Sequence, residues 1–232
     1  MKIWKLALVG AAASLALGGA AFAQDEAPAS DFSFSYNAGV ATDYVFRGVS
    51  QTDGPQAFGG VDIGSGALYA GAWISNVDFG DDTDAELDLY VGVKPELGPV
   101  TLDLAAIYYA YIGDDSASDY EFAEFKVAGS VPFGPVTVGT AWYYSPEFFG
   151  NTGEALYGEL NGSYAINDKW SVGGAVGKQV IDAGTDYTTW NFGVGWAPID
   201  HLALDLRYHD SDLDCATYCG EKVVLTLKTT LP

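Results

Sequence analysis

Two cysteines and two histidines are the residues of this sequence best suited to bond-making chemistry, and their spacing narrows what each can do. Cys215 and Cys219 are separated by Ala216-Thr217-Tyr218. In an oxidising compartment two thiols this close form a local disulfide, and so short a loop gains little stability from closure. The alternative, a metal site, needs ligands beyond a pair. His201 falls in an expected turn, and His209 precedes Asp210-Ser211-Asp212, the one cluster in which a nucleophile and a base are neighbours. Hydrolysis needs the base to reach the nucleophile and to be oriented by a third group, yet adjacent residues of a strand point to opposite faces. The cluster therefore reads as a solvated acidic loop, without the oxygen-ligand spacing of a dedicated calcium loop. No catalytic residue, cofactor site or metal site is expected, and the chain is not read as an enzyme.

What remains is charge. The chain has 10 Lys and Arg against 31 Asp and Glu, a formal charge of −21. That sign excludes nucleic acid as a partner, because phosphate binding needs the opposite one. A hydrophobic content of 49% with 14% aromatics excludes a disordered acidic chain. Twenty-nine glycines and 15 tyrosines against a single methionine favour turns and strands over helices.

The N-terminus carries Lys2 and Lys5, then an apolar run of 16 residues from Leu6 to Ala21, then Ala21-Phe22-Ala23 before Gln24. This is the pattern of a secretory signal peptide over 1–23, cleaved between Ala23 and Gln24. A membrane-spanning helix is the alternative, but the run is short, rich in Ala and Gly, and leads straight into Gln24-Asp25-Glu26. Cleavage removes two basic residues and no acid, leaving 8 against 31, or −23. Residues 24–31 read as a mobile leader and 32–232 as one domain.

From Phe32 onward the residues alternate. Phe32, Phe34, Tyr36, Ala38, Val40, Tyr44 and Phe46 share one parity, and Ser33, Ser35, Asn37, Asp43 and Arg47 the other. The same period of two recurs in Glu86 to Lys94, from Val100, from Leu202 and from Val223, giving about twelve strands. Linkers alternate in length: compact at 64–66, 95–99, 132–135, 166–169 and 198–201, long and polar at 48–56, 76–84, 113–119, 145–154, 182–186 and 209–221. Gly98-Pro99-Val100-Thr101 and Gly134-Pro135-Val136-Thr137 echo each other, either as duplicated hairpins or as one turn chemistry used twice.

No later segment is apolar enough for a spanning helix, so an integral form must be a closed barrel. The expected fold is all-β: a closed, antiparallel, up-and-down transmembrane barrel of about twelve strands in a bacterial outer membrane. Short turns would face the periplasm and long loops the outside. Its partners would be outer-membrane lipid, the barrel-assembly machinery and small solutes. Trp142, Tyr144, Trp170, Trp190 and Trp196 lie near strand ends on the apolar face, where interfacial girdles sit. The polar parity assigns thirteen charged side chains to the lumen: Asp43, Arg47, Asp62, Glu86, Asp88, Asp103, Glu124, Lys126, Glu159, Asp205, Arg207, Lys222 and Lys228. Opposite charges there either line a path for solutes, with acidic loops concentrating cations, or pair and plug it, leaving a structural or surface-interaction barrel. A soluble periplasmic ligand-binding barrel is the third reading. Lys178 shares parity with Val172 and Val176, which implies either a snorkelling rim position or a bulge near Gly173, Gly174 and Gly177.

The run Thr42-Asp43-Tyr44-Val45-Phe46-Arg47-Gly48-Val49-Ser50-Gln51-Thr52 resembles the opening of the TorF family of porins. The likeness continues in Gly60-Val61-Asp62, in Tyr69 to Asp78, in Glu86-Leu87-Asp88-Leu89-Tyr90 and in Ile107-Tyr108-Tyr109. The second half agrees in strand pattern only. The resemblance implies an outer-membrane porin and carries no catalytic residue. Many such barrels end on an aromatic residue, whereas this sequence ends Thr229-Thr230-Leu231-Pro232, which implies an internal insertion signal or less efficient insertion.

Overall fold

The computed structural model describes residues 32–113, 119–215 and 217–232. The expected signal peptide, its cleavage site at Ala23 and Gln24, and the leader lie outside them. Among these residues fifteen strands run in chain order: β1 (Ser33–Ala41), β2 (Val45–Phe46), β3 (Val49–Ser50), β4 (Gln56–Ser65), β5 (Leu68–Asn76), β6 (Ala85–Val93), β7 (Glu96–Leu97), β8 (Val100–Ile112), β9 (Phe122–Phe133), β10 (Val136–Ser145), β11 (Ala155–Ala165), β12 (Trp170–Ile181), β13 (Tyr187–Ile199), β14 (Leu202–Ser211) and β15 (Lys222–Leu231). The twelve long strands pair antiparallel with their neighbours in sequence. β1 joins β15, and β6 joins β8, so the sheet closes on itself as a 12-strand up-and-down barrel. The two-residue β7 only extends the turn before β8.

Alternation explains the wall. Phe34, Tyr36, Val40, Val127, Leu160, Val176, Phe192, Leu206 and Leu225 are exposed on the outer surface, whereas Asn37, Glu86, Asp88, Glu124, Gln179, Asp205 and Arg207 are buried inside. Polar within and apolar without is the reverse of a soluble barrel. Trp142, Tyr144 and Trp190 are exposed toward the long-loop end. Trp170 and Trp196 are exposed toward the short-turn end, their rings stacked at 5.5 Å.

The short turns share one chemistry. Gly66, Gly98 and Gly134 take φ of 60°, 64° and 62°, and at Gly98 and Gly134 the next residue is Pro, whose fixed φ suits the second central position. Repeated turn geometry thus accounts for the Gly-Pro-Val-Thr echo. The register shift in the barrel pairings falls between Trp196 and Ile199, where Pro198 has no N–H to donate. Pairing of β12 with both neighbours is unbroken, so no bulge surrounds Gly173, Gly174 and Gly177. Lys178 is exposed on the outer face, three residues from the loop end of its strand, which is the rim position.

The first segment departs from its expected form. A single strand from Phe32 to Arg47 is expected, but β1 stops at Ala41 and residues 42–55 turn into the barrel around the hairpin of β2 and β3. Tyr44, expected on the apolar outer face with Phe46, is only 5% exposed and lies in the interior cluster, with Phe46 packed against it. The physical reason is volume. Eight strands enclose a space that wall side chains fill, and twelve enclose more, so the inserted hairpin supplies the missing packing.

Candidate channel interior

All thirteen charged residues assigned to the lumen by parity face the interior, although Asp43 and Arg47 do so from the inserted segment rather than from a strand. Asp43 holds that segment's shape: its carboxylate accepts hydrogen bonds from Ser50 Oγ at 2.6 Å and Thr52 Oγ1 at 3.1 Å. The tip is Arg47-Gly48, with φ of 48° and 81°. At Gly48 a Cβ would lie 2.6 Å from Thr189 Oγ1 and 3.0 Å from Ser211 Cβ. Glycine is required there both for its conformation and for the close approach to β13 and β14.

Arg47 reaches across the barrel. Its Nη1 and Nη2 donate to Glu124 Oε1 and Oε2, both at 2.8 Å, and Nη1 also donates to Gln179 Oε1 at 3.0 Å. The guanidinium lies 4.6, 4.9 and 4.4 Å from the ring centres of Phe46, Tyr143 and Tyr157. Each side chain of the ion pair is 1% exposed. Tyr109 donates to Glu124 at 3.1 Å, while Tyr44 and Tyr111 donate to Glu86 at 2.6 and 2.7 Å. Asp88, 1% exposed, keeps Oδ1 without a hydrogen-bond partner. Three carboxylates thus share a zone in which Arg47 is the cation that pairs with one of them.

Toward the turn end the interior is less tightly filled. Asp103 accepts from Tyr69 at 2.5 Å and Lys126 at 2.8 Å, with Lys94 at 3.7 Å. Asp62 accepts from Tyr90 at 2.6 Å, and Glu159 from Tyr157 and Asn161, both at 3.0 Å. Arg207 donates to Asp205 at 3.0 and 3.1 Å and to Asn191 at 2.7 Å, lying over Gly193. At the loop end, where β15 begins, Lys222 reaches Asp53 of the inserted segment at 3.5 Å. Asp62, Lys94, Asp103, Lys126, Glu159 and Lys228 are only partly buried. Burial is thus most complete around Arg47, Glu124 and Gln179, and among the turn-end charges only the Asp205–Arg207 pair is as deeply buried.

Loops brace the inserted segment from outside. Cys215 and Cys219 form a disulfide with a Cα–Cα distance of 5.4 Å. Tyr218, between them, accepts the backbone N–H of Ser50 at 2.8 Å. On the opposite side Phe79, Tyr120 and Phe149 from three loops pack with Tyr111, the rings of Tyr120 and Phe149 stacked at 4.4 Å. Tyr120 also donates to Asp81 at 2.7 Å, and that bond, with the Thr83 backbone N–H, holds the Asp81 carboxyl below its ordinary value.

The sequence places Tyr90 and Lys94 on the polar face of their strand, but the thirteen lumen residues leave out Lys94, Gln179 and the interior tyrosines, although Tyr69, Tyr109, Tyr143 and Tyr157 share that parity and follow from the same counting. Their space is provided by glycine on the wall: Tyr90 lies over Gly71 and Tyr157 over Gly177. The His209 cluster makes no triad. His209 is inside, paired in register with Lys222, while Asp210 is engaged by Tyr208 at 2.8 Å.

A closed barrel with an apolar outside and a charged, tyrosine-rich interior is the architecture of outer-membrane porins. By sequence the chain belongs to a family of bacterial proteins of unknown function, Gcw_chp, whose pattern matches residues 25–231. No curated protein matches it. Among solved structures it is similar to the KdgM porin (TM-score 0.59, 7% identity, covering 85% of this chain and 98% of that one) and to the NanC porin (0.57, 9%, 86% and 100%). It is also similar to an outer-membrane channel from Pseudomonas putida F1 (0.51, 10%, 85% and 92%). At these identities the likeness is one of fold.

Proposed function

We propose that this protein is an outer-membrane, porin-like channel for small hydrophilic solutes, in which residues 42–55 form an internal constriction latched by Arg47. The observation that carries this reading is the interior itself, which gathers eight acids, six bases and a set of tyrosine hydroxyls while the outer wall is apolar. Such an interior substitutes for a solute's hydration shell. The likeness of Thr42 to Thr52 to the TorF family of porins supports the same reading, and so does the fold shared with porins. The chain is exported by its signal sequence, the long loops face outward, and their acidic excess concentrates cations at the mouth. KdgM has been solved in complex with disordered oligogalacturonate. The carboxylate zone around Glu86, Asp88 and Glu124 disfavours such an anionic chain here and favours neutral or cationic solutes.

A second reading, a structural barrel with a plugged lumen, is favoured by the near-complete burial of Arg47, Glu124 and Gln179. Swelling of proteoliposomes separates the two. A channel speeds swelling in small sugars and does so further when residues 43–53 are excised. A plugged barrel leaves swelling at the rate of empty vesicles in both forms.

A further inference from the structure

The group that Arg47 inserts into was built by the wall, not by the loop. Glu124, Tyr143, Tyr157 and Gln179 come from β9, β10, β11 and β12, four adjacent strands. Together they offer a two-oxygen fork, an amide oxygen and two ring faces, which is the complement of a planar, delocalised cation. The loop's own cation fits this cage imperfectly. Arg47 Nε is buried without a hydrogen-bond partner, and Arg47 itself sits at φ 48°, which costs a non-glycine residue strain. Close by, Asp88 presents an unpartnered Oδ1 and is 1% exposed. A guanidinium on a solute carries no tether to the barrel and imposes no backbone strain, so its N–H edges are free to align with the cage.

We propose that this cage is a binding site for guanidinium-bearing solutes, that Arg47 occupies it as a built-in surrogate, and that a cargo cation exchanges with Arg47 as the loop withdraws. The proposal rests on the channel reading for its purpose, but the site exists or not independently of conduction. Anions are excluded by Glu124. Neutral planar amides of the same shape lack the charge that the carboxylate and the ring faces select. A compact ammonium makes one strong contact where guanidinium makes two.

The test uses purified, folded Arg47→Ala protein in detergent, titrated calorimetrically with methylguanidinium chloride, with urea and sodium chloride as shape and salt controls. Arg47→Met, which keeps side-chain volume without charge, serves as a second emptied form should the alanine variant fold poorly. Saturable binding of methylguanidinium and not of urea is expected in the emptied forms, with binding to the wild type at least about tenfold weaker because Arg47 competes. Adding Glu124→Gln should weaken it roughly ten- to a hundredfold, and adding Tyr157→Leu roughly two- to thirtyfold. Absence of saturable binding in both emptied forms, or equal binding after Glu124→Gln, overturns the proposal. Binding without conductance keeps the site and removes the channel reading; conductance without binding does the reverse.

Discussion

The guanidinium of Arg47 and the carboxylate of Glu124 meet through two parallel hydrogen bonds of 2.8 Å, although 77 residues separate them in the chain. One partner rides on an inserted loop and the other on the barrel wall. The pair therefore fixes the inserted segment against the barrel wall and neutralises both charges in the same contact.

Removing either partner should not be equivalent. Glu124→Ala leaves a buried Arg47 with Gln179 as its hydrogen-bond acceptor and three ring faces but no counter-charge, and a buried half-pair costs about 3–5 kcal/mol. Arg47→Ala releases the loop and lets water reach Glu124, so it should cost less. A double-mutant cycle read by urea unfolding in lipid should give a coupling of roughly 1–3 kcal/mol; additive losses would deny the latch.

Gly48→Ala should unseat the loop without touching a charge. The left-handed φ of 81° costs about 1 kcal/mol for a residue with Cβ, and the added carbon meets Thr189 and Ser211. The variant should fold as a barrel, lose protection at Arg47 and Ser50 in hydrogen exchange, and conduct more than wild type.

Reducing the Cys215–Cys219 bridge should move stability little, by about 2 kcal/mol at most for so short a loop. Its larger effect should be on order in the inserted hairpin, because Tyr218 holds the Ser50 N–H. Alkylation after reduction, followed by exchange at Ser50, measures this. Unchanged exchange would show that the disulfide loop does not brace the hairpin.

Acid should loosen the aromatic loop cluster. Asp81 is held below its ordinary value chiefly by the Tyr120 hydroxyl. Because the folded value is depressed, the tether is present in full above the ordinary carboxylate range and is lost as pH falls through the folded value. Tyr120→Phe should bring the Asp81 titration, followed by carboxyl NMR, upward toward its ordinary position. An unmoved titration would contradict the assignment.

A charge on the outer wall should be penalised by depth. Leu160→Arg, at mid-strand, should cost about 2–4 kcal/mol in lipid, and Leu156→Arg, near the loop end, about 0–1 kcal/mol. Both side chains are exposed, so a barrel surrounded by water would tolerate the two equally.

Parity carried the sequence reading a long way. Every charged residue it placed inside is inside, from Asp62 on β4 to Lys228 on β15, because a side chain's face in a regular strand follows from counting by two. The same counting failed at Tyr44 and Phe46. There alternation continued past the end of the hydrogen-bonded strand, and no local pattern distinguishes a strand from a loop that folds back on its own barrel. Arg47 was placed inside for the wrong geometric reason. The cage around it joins residues of four strands, and which tyrosines approach one another depends on register and on glycines such as Gly177 that make room, neither of which is written locally.

The most direct test is single-channel recording in planar bilayers of wild type beside Arg47→Ala, both shown to be folded. A latched channel predicts small or infrequent openings in the wild type and larger, longer ones in the variant, with cations favoured. If both remain silent at every voltage, and excision of residues 43–53 does not open the barrel either, the interior is not a path and the account is wrong.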